Sequence, residues 1–485
     1  MNFLSLSFYA FIPLFLIIYH GIPRQYRYVG IFAGSYLFYG FANIKLLSIL
    51  IVITAITYVG GLIIEKKRCK LSLATFFFAN IIILLSFKYL NFAITNLNLL
   101  RGILHSASDP IASVDIILPA GLSFIVFQSC TYLTDIYRRN IKAEKNIIKY
   151  ASFVAFFPTV LSGPIQKARE LLPQISQPAS FDAERAKKGT ILFIWGLFEK
   201  ILVANRLLII SNTVFGDYTR YSSAYYVVAA ISFSLYIYAD FSSYSDMARG
   251  IAMLMGIQIG KNFNNPYLSC TTSEFWNRWH ISLNSWFIEN IYIPLGGNRK
   301  GSLRKYVNVF IVFLISGLWH GADYHFAVWG IVNGILVILG QIIKPLKAKI
   351  YQKIKIDENL ESIRFCKRVI VFWLISLTWV FFSNGVMASL KILKQLILLN
   401  PVSFFDQKLL SISGTAAATF VTVICAYIFC RIQVKRQHET EAYNTFSKQP
   451  VLFQTAVLGI LICACIFAVC ATDAAVNTQF LYFQF

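Results

Sequence analysis

The feature that most limits what this chain can become is a series of long apolar runs separated by short basic loops. Phe3 to His20 is the first run, and others lie near 28–42, 45–64, 71–90, 111–134, 190–213, 223–241, 306–320, 325–343, 367–383, 411–430 and 451–471. About 20 apolar residues suffice to cross the hydrocarbon core as a helix. No water is available there for backbone N–H and C=O groups, so each crossing must satisfy them internally. Segments near 149–165, 246–260 and 271–296 are apolar but interrupted, the pattern of short, broken or re-entrant pieces. The reading is all-α: a polytopic transmembrane helical bundle of about eleven to thirteen crossings plus re-entrant segments. The first run has no Lys or Arg before it and no small-residue cleavage site after it, so it reads as a retained helix.

Composition points to lipid as the solvent. Of 485 residues, 57% are apolar and only 14% are charged, against roughly 25% charged in a soluble domain. That excludes a soluble globular protein, a disordered chain and a fibrous repeat. The 44 Lys and Arg outnumber the 22 Asp and Glu, a balance that in a soluble protein would suggest nucleic acid. Here the basic residues gather between apolar runs: Arg24 and Arg27; Lys66, Lys67, Arg68 and Lys70; Arg138, Arg139, Lys142, Lys145 and Lys149; and a large cluster from Lys344 to Arg368. Every second loop in the first half is basic, which places those loops in the cytoplasm, with the N-terminus and the basic-poor tail Thr472–Phe485 outside. No basic-plus-aromatic nucleic-acid motif occurs, so no nucleic-acid partner is expected. The nine cysteines form no CxxC and mostly sit in apolar runs as small fillers. With no linker, repeat or low-complexity stretch, residues 1–485 read as one domain.

Polar residues within the apolar runs need partners or a function. Tyr238-Ala-Asp-Phe-Ser-Ser-Tyr-Ser-Asp-Met-Ala-Arg249 carries Asp240, Asp246 and Arg249, and Trp195-Gly-Leu-Phe-Glu-Lys200 carries Glu199 and Lys200. They read two ways: internal pairs that fix the bundle, or the lining of a wet cavity. Thr271 to Phe287 reads as an amphipathic helix. At 100° per residue Trp276, Trp279, His280, Leu283, Trp286 and Phe287 share one face, and Glu274, Arg278, Ser282, Ser285 and Glu289 the other. Glu274 and Arg278 stand at i,i+4 and can pair. Thr271 to Ser273 offer N-cap hydroxyls. Wheel geometry leaves His280 open as a packed residue or a catalyst.

Pro294 ends any helix, and Gly296-Gly297 makes a turn before the basic loop Arg299, Lys300, Arg304 and Lys305. That loop is either a topology anchor or a landing site for a phosphate-bearing donor such as coenzyme A. In Phe313-Leu-Ile-Ser-Gly-Leu-Trp-His-Gly-Ala-Asp-Tyr-His325, Gly317 and Gly321 are four apart, so another backbone can approach that side. His320, hemmed in by Gly, Ala and Trp, should be desolvated, neutral near pH 7 and able to accept a proton. His325 reads as an interfacial residue. No acidic or Cys ligand stands at metal-like spacing near the histidines, so no metal is expected.

These residues resemble a family. Trp276-Asn-Arg-Trp-His-Ile-Ser-Leu283, then Tyr292-Ile-Pro-Leu-Gly-Gly-Asn-Arg-Lys-Gly301, then Ser316-Gly-Leu-Trp-His-Gly-Ala322, strongly resemble the membrane-bound O-acyltransferases (MBOAT), most of all the bacterial alginate O-acetyltransferase membrane subunits. Supporting blocks include Leu118-Pro-Ala-Gly-Leu-Ser123, Tyr132-Leu-Thr-Asp135, Ser162-Gly-Pro164, Asp240-Phe-Ser-Ser-Tyr-Ser-Asp246 and Leu481-Tyr-Phe-Gln-Phe485. The resemblance implies a bundle around a central funnel with His320 at its floor and His280 as the second histidine. Bacterial members often read Trp-Phe-Arg-Asp after the first motif where this chain has Trp286-Phe-Ile-Glu289, a departure that fits a different acceptor polymer or partner.

The expected activity is that of an O-acyltransferase, most simply an O-acetyltransferase of the cell (cytoplasmic/inner) membrane. His320 and His280 are the expected catalytic residues, and Trp276, Asn277, Trp279, Arg299 and Lys300 the expected substrate-binding ones. The donor would be acetyl-CoA or another cytoplasmic acyl thioester, with no permanently bound cofactor. The acceptor would be an extracytoplasmic polysaccharide, alginate-like or another cell-surface polymer, reached through an acyl-accepting partner protein. Two rivals use the same buried charges and broken helices: a multi-pass transporter or channel subunit of a polysaccharide export complex, and a non-catalytic scaffold.

Overall fold

A computed structural model describes residues 1–41, 44–104, 109–217, 221–398, 409, 411–436, 439–470 and 479–481. The expected outward tail Thr472–Phe485 and the Leu481–Phe485 block lie outside these residues except for Gln479–Leu481. Every regular element among the described residues is helical. The first half holds α1 (Leu6–Gly21), α2 (Arg27–Gly40), α3 (Ile44–Lys66), α4 (Lys70–Ile103), α5 (Leu122–Tyr137), α6 (Ile147–Val154), α7 (Ala168–Ser176), α8 (Ala183–Phe198), α9 (Asn205–Gly216) and α10 (Ser223–Leu254). The second holds α11 (Thr272–Arg278), α12 (Ile281–Phe287), α13 (Gly301–His320), α14 (Tyr324–Lys353), α15 (Glu361–Ser383), α16 (Val386–Leu398), α17 (Ala416–Lys435), α18 (Glu439–Ser447) and α19 (Val451–Cys470).

Eight helices among the described residues are long and apolar enough to cross a membrane, and α1 is a shorter apolar helix. The larger expected number counted segments that fold otherwise. Residues 28–42 give only the 14-residue α2. The run 111–134 is not helical until Leu122. Pro119 disfavours helix at the residue before it, and Gly121 adopts φ 76°, where a Cβ would stand 2.2 Å from the Val160 carbonyl oxygen. The run 190–213, by contrast, is helical throughout, α8 passing through a π-helical stretch at Glu199–Ala204 into α9. Conversely, 223–241 and the first part of 246–260, read as separate, form the single 32-residue α10, which ends at Leu254.

The helix α10 continues through its charges because they are answered inside the bundle. Lys200 Nζ lies 2.6 Å from Asp240 Oδ1. Glu199 accepts from the Ser242 hydroxyl at 2.7 Å and from Gln433 Nε2 at 2.6 Å. Arg436 stands 2.5 Å from Asp246 and 3.6 Å from Glu199. Of the two readings left open, the internal-pair one describes Glu199, Lys200, Asp240 and Asp246. By contrast, α19 turns Leu452, Ile460 and Phe467 outward, a surface suited to lipid.

The chain forms two compact units, Met1–Thr190 with Met247–Gly260, and Ile191–Asp246 with Lys261–Phe483. In the first, Asp135 binds Arg169 at 2.7 Å and accepts from Asn140 at 2.8 Å, Tyr150 donates to Thr57 Oγ1 at 2.6 Å, and Tyr19 donates to the Met255 carbonyl at 2.9 Å. In the second, α13 and α14 form a tight antiparallel pair. A Cβ at Gly317 would meet the Phe326 carbonyl oxygen at 2.3 Å, and one at Gly330 the Phe313 carbonyl oxygen at 2.4 Å. The close approach read from Gly317 is therefore made by α14. Gly317→Ala must push the two backbones apart, an overpacking cost of about 1–3 kcal/mol or more. A thermal midpoint for Gly317→Ala matching that of wild type would refute this contact.

Candidate active site

The second unit carries His280, His320 and His325. Thr271 caps α11, its hydroxyl oxygen accepting from Glu274 N–H at 3.1 Å. Glu274 in turn accepts from Cys270 N–H at 2.7 Å and pairs with Arg278 at 2.6 Å. Cap and ion pair are both as the sequence suggests, but the single helix over 271–287 is not. It breaks at Trp279–His280, and His280 adopts φ 43°, ψ 54°. A side chain with a Cβ rarely occupies this left-handed region, and such residues cluster at functional sites. The break is held from a neighbouring segment: Asn264 N–H donates to the Arg278 carbonyl at 3.0 Å and Ile281 N–H to the Asn262 carbonyl at 2.9 Å. Asn284 Nδ2 crosses the break to the Trp276 carbonyl at 2.8 Å.

The two-face division survives the break. Trp279, His280, Leu283, Trp286 and Phe287 are buried, while Glu274, Arg278, Ser282, Ser285 and Glu289 keep partial exposure. The turn from α11 to α12 lets Trp276, Trp279, His280 and Asn284 border one cavity of about 30 Å³, room for a water molecule or two. Across it stand Phe313, Ser316 and His320 of α13. Both histidines thus face the same space.

His320 is the last residue of α13, and its ring meets Trp319, Trp329 and Phe382 at centroid distances of 4.9, 5.1 and 5.1 Å. Ser316 lies one turn before it on the same face. The ring of His280 stands edge-on to Phe241 at 4.6 Å. Burial holds the His280 imidazole well below its ordinary pKa, so it is neutral at pH 7. A neutral imidazole offers one N–H donor and one lone pair. Trp276 Nε1–H is buried and meets no acceptor among the described residues.

The other expected site residues divide. Trp276 and Trp279 line the cavity, whereas Asn277 is exposed and does not. Arg299 and Lys300 are exposed in the turn before α13. The 20 residues of α13 put them about 30 Å along the helix from His320. His325 is half-buried, with Nδ1 2.8 Å from the Phe381 carbonyl, and does not line the cavity. Sequence reasoning missed Asn262, Asn284 and Ser316. A cluster of turn-forming asparagines, Asn262-Phe-Asn-Asn265, was the one available signal for the first.

A helical bundle with two buried histidines on a shared cavity fits an enzyme that works inside the membrane. The sequence profile of the membrane-bound O-acyltransferase family, MBOAT, matches residues 31–386, and the chain belongs to that family. It is 33% identical over 381 residues to the probable alginate O-acetylase AlgI of Azotobacter vinelandii, covering 77% of this chain and 73% of that one. It is 32% identical over 401 residues to the peptidoglycan O-acetyltransferase of Helicobacter pylori, covering 76% and 73%. The teichoic acid D-alanyltransferase of Bacillus subtilis is 24% identical over 235 residues, 45% of this chain and 57% of that one. The protein is a multi-pass membrane acyltransferase of the O-acetyltransferase kind.

Proposed function

We propose that the protein O-acetylates an extracytoplasmic polysaccharide, with acetyl-CoA or a related cytoplasmic thioester as donor, in the cytoplasmic membrane of its cell. The observation that carries this is the cavity that His280 and His320 share. The acceptor is alginate-like or another cell-surface polymer, as the names of the alginate and peptidoglycan relatives suggest. A partner protein outside the membrane completes the transfer to the polymer.

In this reading a ring nitrogen of His320 takes the proton of the incoming hydroxyl as its oxygen attacks the thioester carbonyl. The C–O bond forms, the carbonyl oxygen gains the negative charge, and collapse of the adduct breaks the C–S bond. The leaving sulfur receives the proton from His320, which returns to its neutral form as ester and free thiol depart. The N–H of neutral His280 donates to the carbonyl oxygen, where charge develops. Trp276 Nε1–H supplies a second donor. Trp279, Phe287 and Phe313 exclude bulk water, so the thioester is passed on and not hydrolysed. Arg299 and Lys300 stand too far from His320 to touch the reacting carbonyl. Their role is to attract the anionic end of the donor to the basic face.

The test uses purified protein in lipid vesicles with acetyl-labelled acetyl-CoA and, as probe acceptor, alginate oligomers. Free thiol released above the level of empty vesicles, with label on the oligomers once the extracytoplasmic partner protein is added, is the expected result. Thiol release indistinguishable from that of empty vesicles, together with solute uptake, would overturn it.

A further inference from the structure

We infer that Asn262 is a positioning residue of this site: it caps the helix after His280 in place of the His280 side chain and thereby leaves the imidazole to the cavity. The inference rests on the role proposed for His280. It starts from an accounting of backbone donors at the break. His280 is the N-cap residue of α12, and its side chain makes no capping hydrogen bond. The first N–H groups of a helix have no intrahelical partner, and N-cap side chains ordinarily satisfy them. Here the acceptors come from another segment. Ile281 N–H donates to the Asn262 carbonyl at 2.9 Å, and Ser282 N–H donates to Asn262 Oδ1 at 3.3 Å. The Ser282 hydroxyl donates to the same oxygen at 2.7 Å.

Asn262 is itself fixed. It is fully buried, and its Nδ2 donates to Ser245 Oγ on α10 at 3.3 Å. On the other side of the break, the Arg278 carbonyl would accept from Ser282 N–H in a continuous helix, but it accepts from Asn264 N–H at 3.0 Å. Residues 278 and 281–282 are therefore both tied to the 262–264 segment, and the two residues between them must bridge a set span. The left-handed φ of 43° at His280 follows from that constraint. Without the Asn262 amide, Ser282 N–H loses its acceptor on Oδ1, and the balance shifts toward the Arg278 carbonyl that it would meet in a continuous helix, which rotates the imidazole away from His320.

Asn262→Ala, Ser282→Ala, His280→Ala and the Asn262→Ala/His280→Ala double variant would be compared as full chains in vesicles. Thiol release from acetyl-CoA and the NMR signals of isotopically labelled histidine are both recorded. The signal missing from His280→Ala identifies residue 280. Asn262→Ala is expected to lower kcat about 10- to 100-fold through misplacement, with KM little changed, and to move the His280 signal while those of His20 and His325 stay. The double variant should be no slower than His280→Ala alone. Ser282→Ala, which keeps the backbone bonds and the fold, should shift the same signal in the same direction by less. An unmoved His280 signal in both Asn262→Ala and Ser282→Ala, or losses that multiply in the double variant, overturns the inference. If His280→Ala keeps full thiol release while Asn262→Ala still moves the His280 signal, the catalytic reading of His280 fails, and the positioning role in catalysis fails with it.

Discussion

His320→Ala is expected to lower acyl transfer by about 10²–10⁴-fold, the contribution of a positioned general base, while the bundle stays folded. The fold should survive because His320 is the terminal residue of α13. The elements that build the hairpin, Gly317 against Phe326 and Gly330 against Phe313, lie elsewhere along it. The ring does touch Trp319, Trp329 and Phe382, so its removal leaves a void and some loss of stability. His320→Asn separates the two effects. It fills part of the void and keeps hydrogen-bonding groups, but it cannot take a proton at neutral pH. Equal loss of turnover in both variants, each monodisperse and with a thermal midpoint near wild type, marks the lost proton acceptor. Recovery in His320→Asn would mean that shape mattered and proton transfer did not. In the proposed mechanism His280→Ala takes away a donor to the developing oxyanion, with an expected loss of about 10²–10³-fold. The two losses should not multiply in the double variant, because both residues act on one transition state.

What could be read from the sequence is what local pattern controls. Apolar runs gave the helical bundle, Thr271 gave the cap of α11, the i,i+4 spacing gave Glu274–Arg278, and the glycines gave the α13–α14 approach. The misses share a cause. The break at His280 was hidden because apolar residues keep helical period on both sides of it, while the hydrogen bonds that break the helix come from Asn262 and Asn264. The continuity of α10 was hidden because Asp240 looks like an interruption until Lys200, 40 residues earlier, is placed beside it. In each case the deciding partner is distant along the chain, and periodicity carries no information about it.

The Lys200–Asp240 pair carries the second large effect: Lys200→Met with Asp240 intact destabilises the fold by about 3–5 kcal/mol, because it strands a buried charge. Neither side chain has appreciable exposure, at 0% and 1%. Every strong contact of the pair is internal. Lys200 Nζ donates to Asp240 Oδ1 at 2.6 Å and to the Gln479 carbonyl at 3.0 Å, and it stands 4.7 Å from the centre of the Phe480 ring. Asp240 Oδ2 accepts from Leu481 N–H at 2.9 Å. The pair thus ties the π-helical stretch after α8, α10 and residues 479–481 together. Two charges taken from water recover their desolvation cost only from each other and from such hydrogen bonds, and removing both is often close to neutral. Lys200→Met/Asp240→Leu should therefore regain most of the thermal midpoint that Lys200→Met loses in detergent. It should not regain the docking of residues 479–481, since no side-chain group is left to hold the Gln479 carbonyl or the Leu481 N–H. Limited proteolysis at residues 479–481 then separates the two functions of the pair. If the single and double variants unfold at the same temperature, the charge left behind was never buried, and the pair is not what holds these helices.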